Sequence, residues 1–141
     1  MAARMYAFRM NEGDDLKQKV INFVVENNLQ SAVIACAVGS LSQASIRMAG
    51  ALPGKQDVRQ FKGAFEIVSL IGTVAPDGLC HLHISISDKD GQVIGGHVKE
   101  GCIVHTTVEL SLLSDDEIRF SRQIDTITGF DELSVNQIED R

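Results

Sequence analysis

The sequence predicts an α+β domain, a mostly antiparallel sheet carrying one main amphipathic helix. Three observations predict it. Short β-branched or alternating runs succeed one another from residue 31 to residue 124, each bounded by Gly, Pro, Asp or Ser. Only residues 15 to 28 carry apolar side chains at convincing helical spacing. The strands follow so closely that hairpins are favoured over crossovers.

The elements can be justified in order. Tyr6, Phe8 and Met10 alternate with Ala7 and Arg9, as in a half-buried strand. NEGDD breaks the alternation, and Asp15 with Gln18 three residues on reads as a capping box. Behind it Leu16, Val20, Phe23, Val24 and Asn27 form the helical stripe. Strands are then expected at 31–38, 43–48, 65–74, 79–87, 92–98, 102–113 and 117–124. Residues 50 to 60, with Gly50, Pro53, Gly54 and Lys55, read as the one long loop.

With 141 residues, a single domain spanning 1–141 is the expected organisation. Apolar residues at 44% and charged residues at 23% are ordinary globular values. Aromatics are scarce and Trp is absent, so Val, Ile, Leu and Ala must build the core. The net charge of −6 and the scattered Lys and Arg residues disfavour a nucleic-acid grip. Cys36, Cys80 and Cys102 have no C-x-x-C spacing and are expected as small buried apolar groups in a reducing compartment. No apolar run approaches the ~20 residues of a membrane span. MAARMYAFRM has two arginines and no acid, yet its second half alternates like a strand. The expected location is the cytoplasm.

All four histidines fall within residues 80 to 105, CHLHISISDKDGQVIGGHVKEGCIVH. In the first strand of this stretch Leu82, Ile84 and Ile86 form an apolar face, and His81, His83, Ser85 and Ser87 a polar one. His81 and His83 stand roughly 6–7 Å apart along one strand edge. His97 joins them only if the hairpin has the right register. A two-residue Asp90-Gly91 loop sends His97 to the apolar face. A three-residue Lys89-Asp90-Gly91 loop, with Gly91 left-handed, instead sets Ile86 opposite Ile94 and His83 opposite His97. That register keeps the apolar faces together and gathers three imidazoles. A second bulge at Gly95-Gly96 would shift the count.

Three neutral imidazoles with an open fourth position suit a zinc-type site that binds water or substrate. The competing reading keeps His81 and His83 as solvated strand residues and His97 as a hydrogen-bonding neighbour. His105, on a face with Thr107 and Glu109, reads as a surface histidine. Cys80 points away from His81 and is not expected to share an ion with it.

Several separated motifs resemble one family in the right order. FRMNEGDDLKQKVINFVVENNLQSAVIACAVGSLSQASIR, GAFEIVSLIGTV, GLCHLHISISDKDGQVIGGHV and a closing F-x-R-x-x-D-x-x-TGFDEL together resemble the PPC (plants and prokaryotes conserved) domain family, from about Met5 to Val135. The resemblance implies an α+β domain that assembles as a homotrimer. It further implies that the H-x-H and G-G-H histidines, here His81, His83 and His97, hold a metal, usually zinc. Plant members bind DNA and carry an AT-hook and G-G-S; this chain shows no R-G-R-P hook and reads Gly95-Gly96-His97. The implication is a metal-binding, prokaryote-type member rather than a DNA binder.

Gly63, Phe65, Glu66 and Ile67 of the GAFEI element read as a packing or partner-contact motif. Glu66, placed on a face with Val68 and Leu70, reads as a carboxylate of raised pKa, as a partner for Arg47 or Arg9, or as part of a face at a subunit boundary. No G-x-S-x-G elbow or Gly-rich helix-opening loop is present, so no catalytic residue is assigned. The terminal IEDR reads as a solvated end. Two rival functions accompany the metal site and its small-molecule ligand: a non-enzymatic trimeric interaction module, and a DNA-binding regulator.

Overall fold

The computed structural model describes residues 3–138. Its order is β1 (Arg4–Asn11), α1 (Leu16–Glu26), β2 (Ala32–Arg47), β3 (Val58–Val74), β4 (Cys80–Ser87), β5 (Val93–Val98), β6 (Ile103–Ser114), β7 (Ile118–Ile124) and β8 (Asp131–Gln137). The first six strands form one antiparallel sheet in the order β1-β6-β2-β3-β4-β5. β7 and β8 form a separate hairpin. The terminal Glu139–Arg141 of the predicted solvated end lie outside the described residues.

β2 is the spine. Along one edge it pairs first with β6 and then, at Ile46 and Arg47, with Val98 and His97 of β5. Along the other it pairs with β3, so β2, β3, β4 and β5 close into a ring at that end. The sequence pattern predicts two strands where β2 is one. Register shifts between Ile34/Cys36, Gly39/Leu41 and Leu41/Gln43 interrupt the alternation while the backbone continues. Glycine at 39 permits this, because a Cβ there would run into the Thr107 carbonyl oxygen.

Two other boundaries differ. β3 begins at Val58, inside the expected loop, and β8 was not expected. The helix matches closely. Asp15 is its N-cap, accepting from the Gln18 amide at 3.0 Å. The reciprocal half of the box is missing, since the Gln18 side chain donates to Asn22 Oδ1 instead. Asp15 also accepts from the Gly101 amide at 2.7 Å, tying the cap to the approach of β6.

Leu16, Val20 and Val24 are completely buried, and Phe23 stacks on Phe8 at 4.2 Å. The same core takes Ile46, Leu70, Val74, Leu82, Ile84, Ile86 and Val98 from the ring. At roughly 1.5–3 kcal/mol for each fully buried aliphatic side chain, these aliphatic residues are the main stabilising term. The cysteines divide: Cys102 is buried, Cys80 is half-buried against the core, and Cys36 is exposed. The expectation of three buried thiols therefore fails at Cys36, where the register shift turns the side chain outward. Among the described residues no helix is long and apolar enough to cross a membrane.

Candidate metal centre

The β4–β5 reversal has the three-residue form. Asp88 and Gln92 close it, with the Asp88 amide donating to the Gln92 carbonyl at 2.9 Å, and Gly91 sits at φ 77. The Asp88 carboxylate holds the turn by accepting from the Asp90 and Gln92 amides. From there the register runs Ser87↔Val93, Ile86↔Ile94, Ser85↔Gly95, Ile84↔Gly96 and His83↔His97 without a bulge. Leu82, Ile84 and Ile86 are buried, which locks this register against a one-residue slip.

Gly95 and Gly96 serve a purpose other than a bulge. A Cβ at 95 would strike the Ile84 backbone, and one at 96 would meet the Arg47 carbonyl oxygen and Ile46 Cγ2. The glycines let β5 lie tightly between β4 and β2. His97 is thereby paired with His83 on one side and Arg47 on the other.

The three imidazoles converge outside the sheet. Their ring centroids are 4.8 Å (His81–His83), 5.1 Å (His81–His97) and 5.7 Å (His83–His97) apart. One nitrogen from each lies within 4.8 Å of the other two. His81 Nε2 and His83 Nε2 are 3.0 Å apart, a contact that needs one N–H and one lone pair. Donors around one tetrahedral ion at 2.0–2.1 Å stand about 3.4 Å from one another, so small side-chain rotations bring this set to that spacing.

The surroundings favour neutral rings. Burial, and then the charge of Arg47, push His97 down to about 3. His81 is also lowered, first by partial desolvation of its ring and then by its neighbour His83. Both remain lone-pair donors at neutral pH, the form a metal requires.

Four side chains from elsewhere complete the site. Arg47 Nη2 lies 3.4 Å from His97 Nδ1, and its guanidinium sits 5.8 Å from the centre of the Phe130 ring. Arg122 of β7 donates to Thr73 Oγ1 at 2.7 Å. Arg47, Arg122, Phe130 and Glu132 line one cleft of about 260 Å³ with His81 and His97. The β7–β8 turn sets Phe130 in place. Asp125 Oδ1 accepts from the Ile127 and Thr128 amides, and Gly129 takes φ 74. Sequence reasoning did not assign Arg122 or Phe130 to a site, although both stand in the closing motif F-x-R-x-x-D-x-x-TGFDEL.

The remaining candidates lie apart. His105 is exposed on β6, as expected of a surface histidine. Phe65 is buried in the core and Ile67 packs half-buried against it, while Gly63 lies within β3. Glu66 does not share a buried face with Leu70. A register shift between Ile67 and Ser69 places Glu66 and Val68 outside and Leu70 inside. Among the described residues Glu66 makes no ion pair, so neither Arg47 nor Arg9 is its partner.

Known proteins share this architecture. A hypothetical protein from Salmonella cholerae-suis superposes with a TM-score of 0.90 at 38% identity, covering 96% of this chain and 95% of that one. A metal-containing protein from Archaeoglobus fulgidus superposes with a TM-score of 0.76 at 27% identity, covering 96% and 94%. The bifunctional protein GlmU of Synechococcus sp. (strain JA-3-3Ab) is 39% identical over 135 residues, which are 96% of this chain. The chain spans only 21% of that relative's length. The model of the Plants and Prokaryotes Conserved (PCC) domain matches residues 1–115, the region holding the helix, the six-stranded sheet and all three clustered histidines. The chain belongs to the Plants and Prokaryotes Conserved domain family, the PPC family that its motifs resemble.

Proposed function

We propose that this chain is a metal-binding member of its family, with His81, His83 and His97 holding one divalent ion, zinc by preference, in a cytoplasmic homotrimer. The observation that carries this reading is the convergence of three imidazole nitrogens within 4.8 Å on the outer face of one hairpin. An all-nitrogen donor set of this size suits zinc and leaves a coordination position open. The likeness to a metal-containing protein from A. fulgidus supports a bound metal.

The chain's own residues define what such a centre works with. β4 and β5 fix the three rings by main-chain register, and Gly96 holds His97 close to β2. The Phe130 ring covers one side of the cleft, and Arg47 and Arg122 supply positive charge beside the rings. When bound, zinc acts as a Lewis acid toward an oxygen ligand or acidifies a bound water. A small carbonyl-bearing or anionic metabolite fits that chemistry.

Elemental analysis of the untagged protein, paired with native mass measurement, tests the proposal. It expects about one metal ion per chain and a trimeric mass. His83→Ala removes the metal and leaves the trimer intact. Protein that remains metal-free after zinc supplementation refutes it.

A further inference from the structure

The two arginines beside the histidines have hydrogen-bonding capacity that the described residues do not use. Arg122 donates to Thr73 through one Nη, but its Nε is buried and has no partner among the described residues. A buried guanidinium N–H without an acceptor is costly unless something else supplies one. Among the described residues the Arg47 side chain has one polar contact, to His97 Nδ1 at 3.4 Å. A guanidinium only donates, so this contact requires Nδ1 to carry the lone pair. Whichever ring nitrogen of His97 holds an ion, that acceptor disappears: Nδ1 is either the coordinating atom or the N–H nitrogen. Arg47 then lacks an acceptor as well.

The carboxylates lining the cleft do not fill the gap. Asp131 and Glu132 line the same cleft, yet among the described residues neither forms an ion pair with Arg47 or Arg122. Glu132 Oε1 is engaged by the Thr128 hydroxyl at 2.9 Å. Two guanidinium and two carboxylate groups leave the cleft near neutrality. A divalent ion held by three neutral imidazoles tips it to a net positive site with two unsatisfied forks. The cleft, at about 260 Å³, falls below the ~300–1,000 Å³ typical of drug-sized ligands and suits a small metabolite.

We infer that Arg47 and Arg122 form the carboxylate-binding half of a ligand site whose other half is the three-histidine centre, and that the ligand is a small acid with an oxygen donor next to its carboxylate, such as a 2-hydroxy or 2-oxo acid. This rests on the metal reading proposed above. The carboxylate takes the guanidinium N–H groups, and the neighbouring hydroxyl or carbonyl oxygen faces the open metal position. Phe130, already against Arg47, limits the ligand's girth. Anion and metal binding are reciprocal, because each supplies what the other's partners lack.

The test uses cobalt(II)-loaded protein, whose visible spectrum reports coordination directly. Metal content is measured first: failure to load about one cobalt per chain refutes the metal reading, and the ligand site with it. With cobalt bound, lactate is titrated against its neutral isostere lactamide and against inorganic phosphate. Lactate is expected to perturb the spectrum saturably, lactamide to leave it unchanged, and phosphate to bind more weakly than lactate. Arg47→Gln and Arg122→Gln are each expected to weaken lactate about 10- to 100-fold while cobalt stoichiometry stays constant. Arg122→Lys serves where the glutamine variant melts early, and it is expected to bind lactate more weakly than the native chain. Lactate is also expected to raise cobalt affinity in the native protein, and to raise it less at the same lactate concentration in the Arg47→Gln variant. No spectral response to lactate, equal binding of lactamide, or full lactate affinity in both arginine variants overturns the assignment.

Discussion

His97 is held neutral by burial and then by the charge of Arg47, and that has a consequence for stability. In the unfolded chain its imidazole takes a proton near the ordinary value of 6.5; in the folded chain it does so only at about 3. Between those values the unfolded state binds more protons, so stability falls as pH falls from 6.5 toward 3 and is complete above 6.5. His81 shifts in the same direction. The melting temperature of metal-free protein is therefore expected to drop between pH 7 and pH 5, and His97→Gln to flatten that drop. An unchanged slope in the variant contradicts the assignment of this dependence to His97. At the same scale, Asp15→Ala is expected to cost about 1–2 kcal/mol in denaturant melts, since it removes the helix cap and the acceptor for the Gly101 amide. The histidines were legible in the sequence because they share one hairpin. Arg47 was not: its pairing with His97 exists only because β5 closes onto β2, a contact between distant segments. Glu66 was misplaced for a related reason, since one register shift in β3 inverts which alternate residues face the core.

At the scale of elements, the β4–β5 hairpin separates two roles of glycine. Gly91 occupies a left-handed position with open space around it. Gly91→Ala is expected to cost about 1–2 kcal/mol of conformational strain and to leave metal stoichiometry unchanged, because it acts on the turn and not on the rings. Gly96 is hemmed in by Arg47 and Ile46. Gly96→Ala is expected to cost about 1–3 kcal/mol and also to weaken metal binding, because β5 must move away from β2 and carry His97 with it. Thermal melts combined with metal titration distinguish the two, and equal effects on metal affinity contradict the positioning role of Gly96. This hairpin was readable in advance, as only one loop length sets Ile86 opposite Ile94 and Leu82 opposite Val98, apolar against apolar. β2 was not readable as one strand, because its bulges break the alternation that marks strands. β8 was hidden differently: DELSVNQ is mostly exposed polar sequence, and it becomes a strand through its pairing with β7.

At the scale of the whole molecule, the outer face of the six-stranded sheet is unevenly apolar. Met5, Val33 and Leu113 are exposed and lie side by side, since Met5 and Val33 both pair with Leu113. Val38, 59% exposed, continues the patch along β2 beside the exposed Cys36. Clustered aliphatic residues on a flat sheet face favour burial against another surface, and the proposed homotrimer supplies one. Val38→Glu combined with Leu113→Glu is expected to shift the native mass from trimer to monomer, because each buried carboxylate would lack a partner. All three proposed histidine ligands belong to one chain, so the monomeric variant is expected to retain about one metal ion per chain, with affinity within a few-fold of the native protein. Loss of metal together with the trimer would mean that assembly shapes the centre. A variant still trimeric at micromolar concentration would mean that the chains meet through another surface.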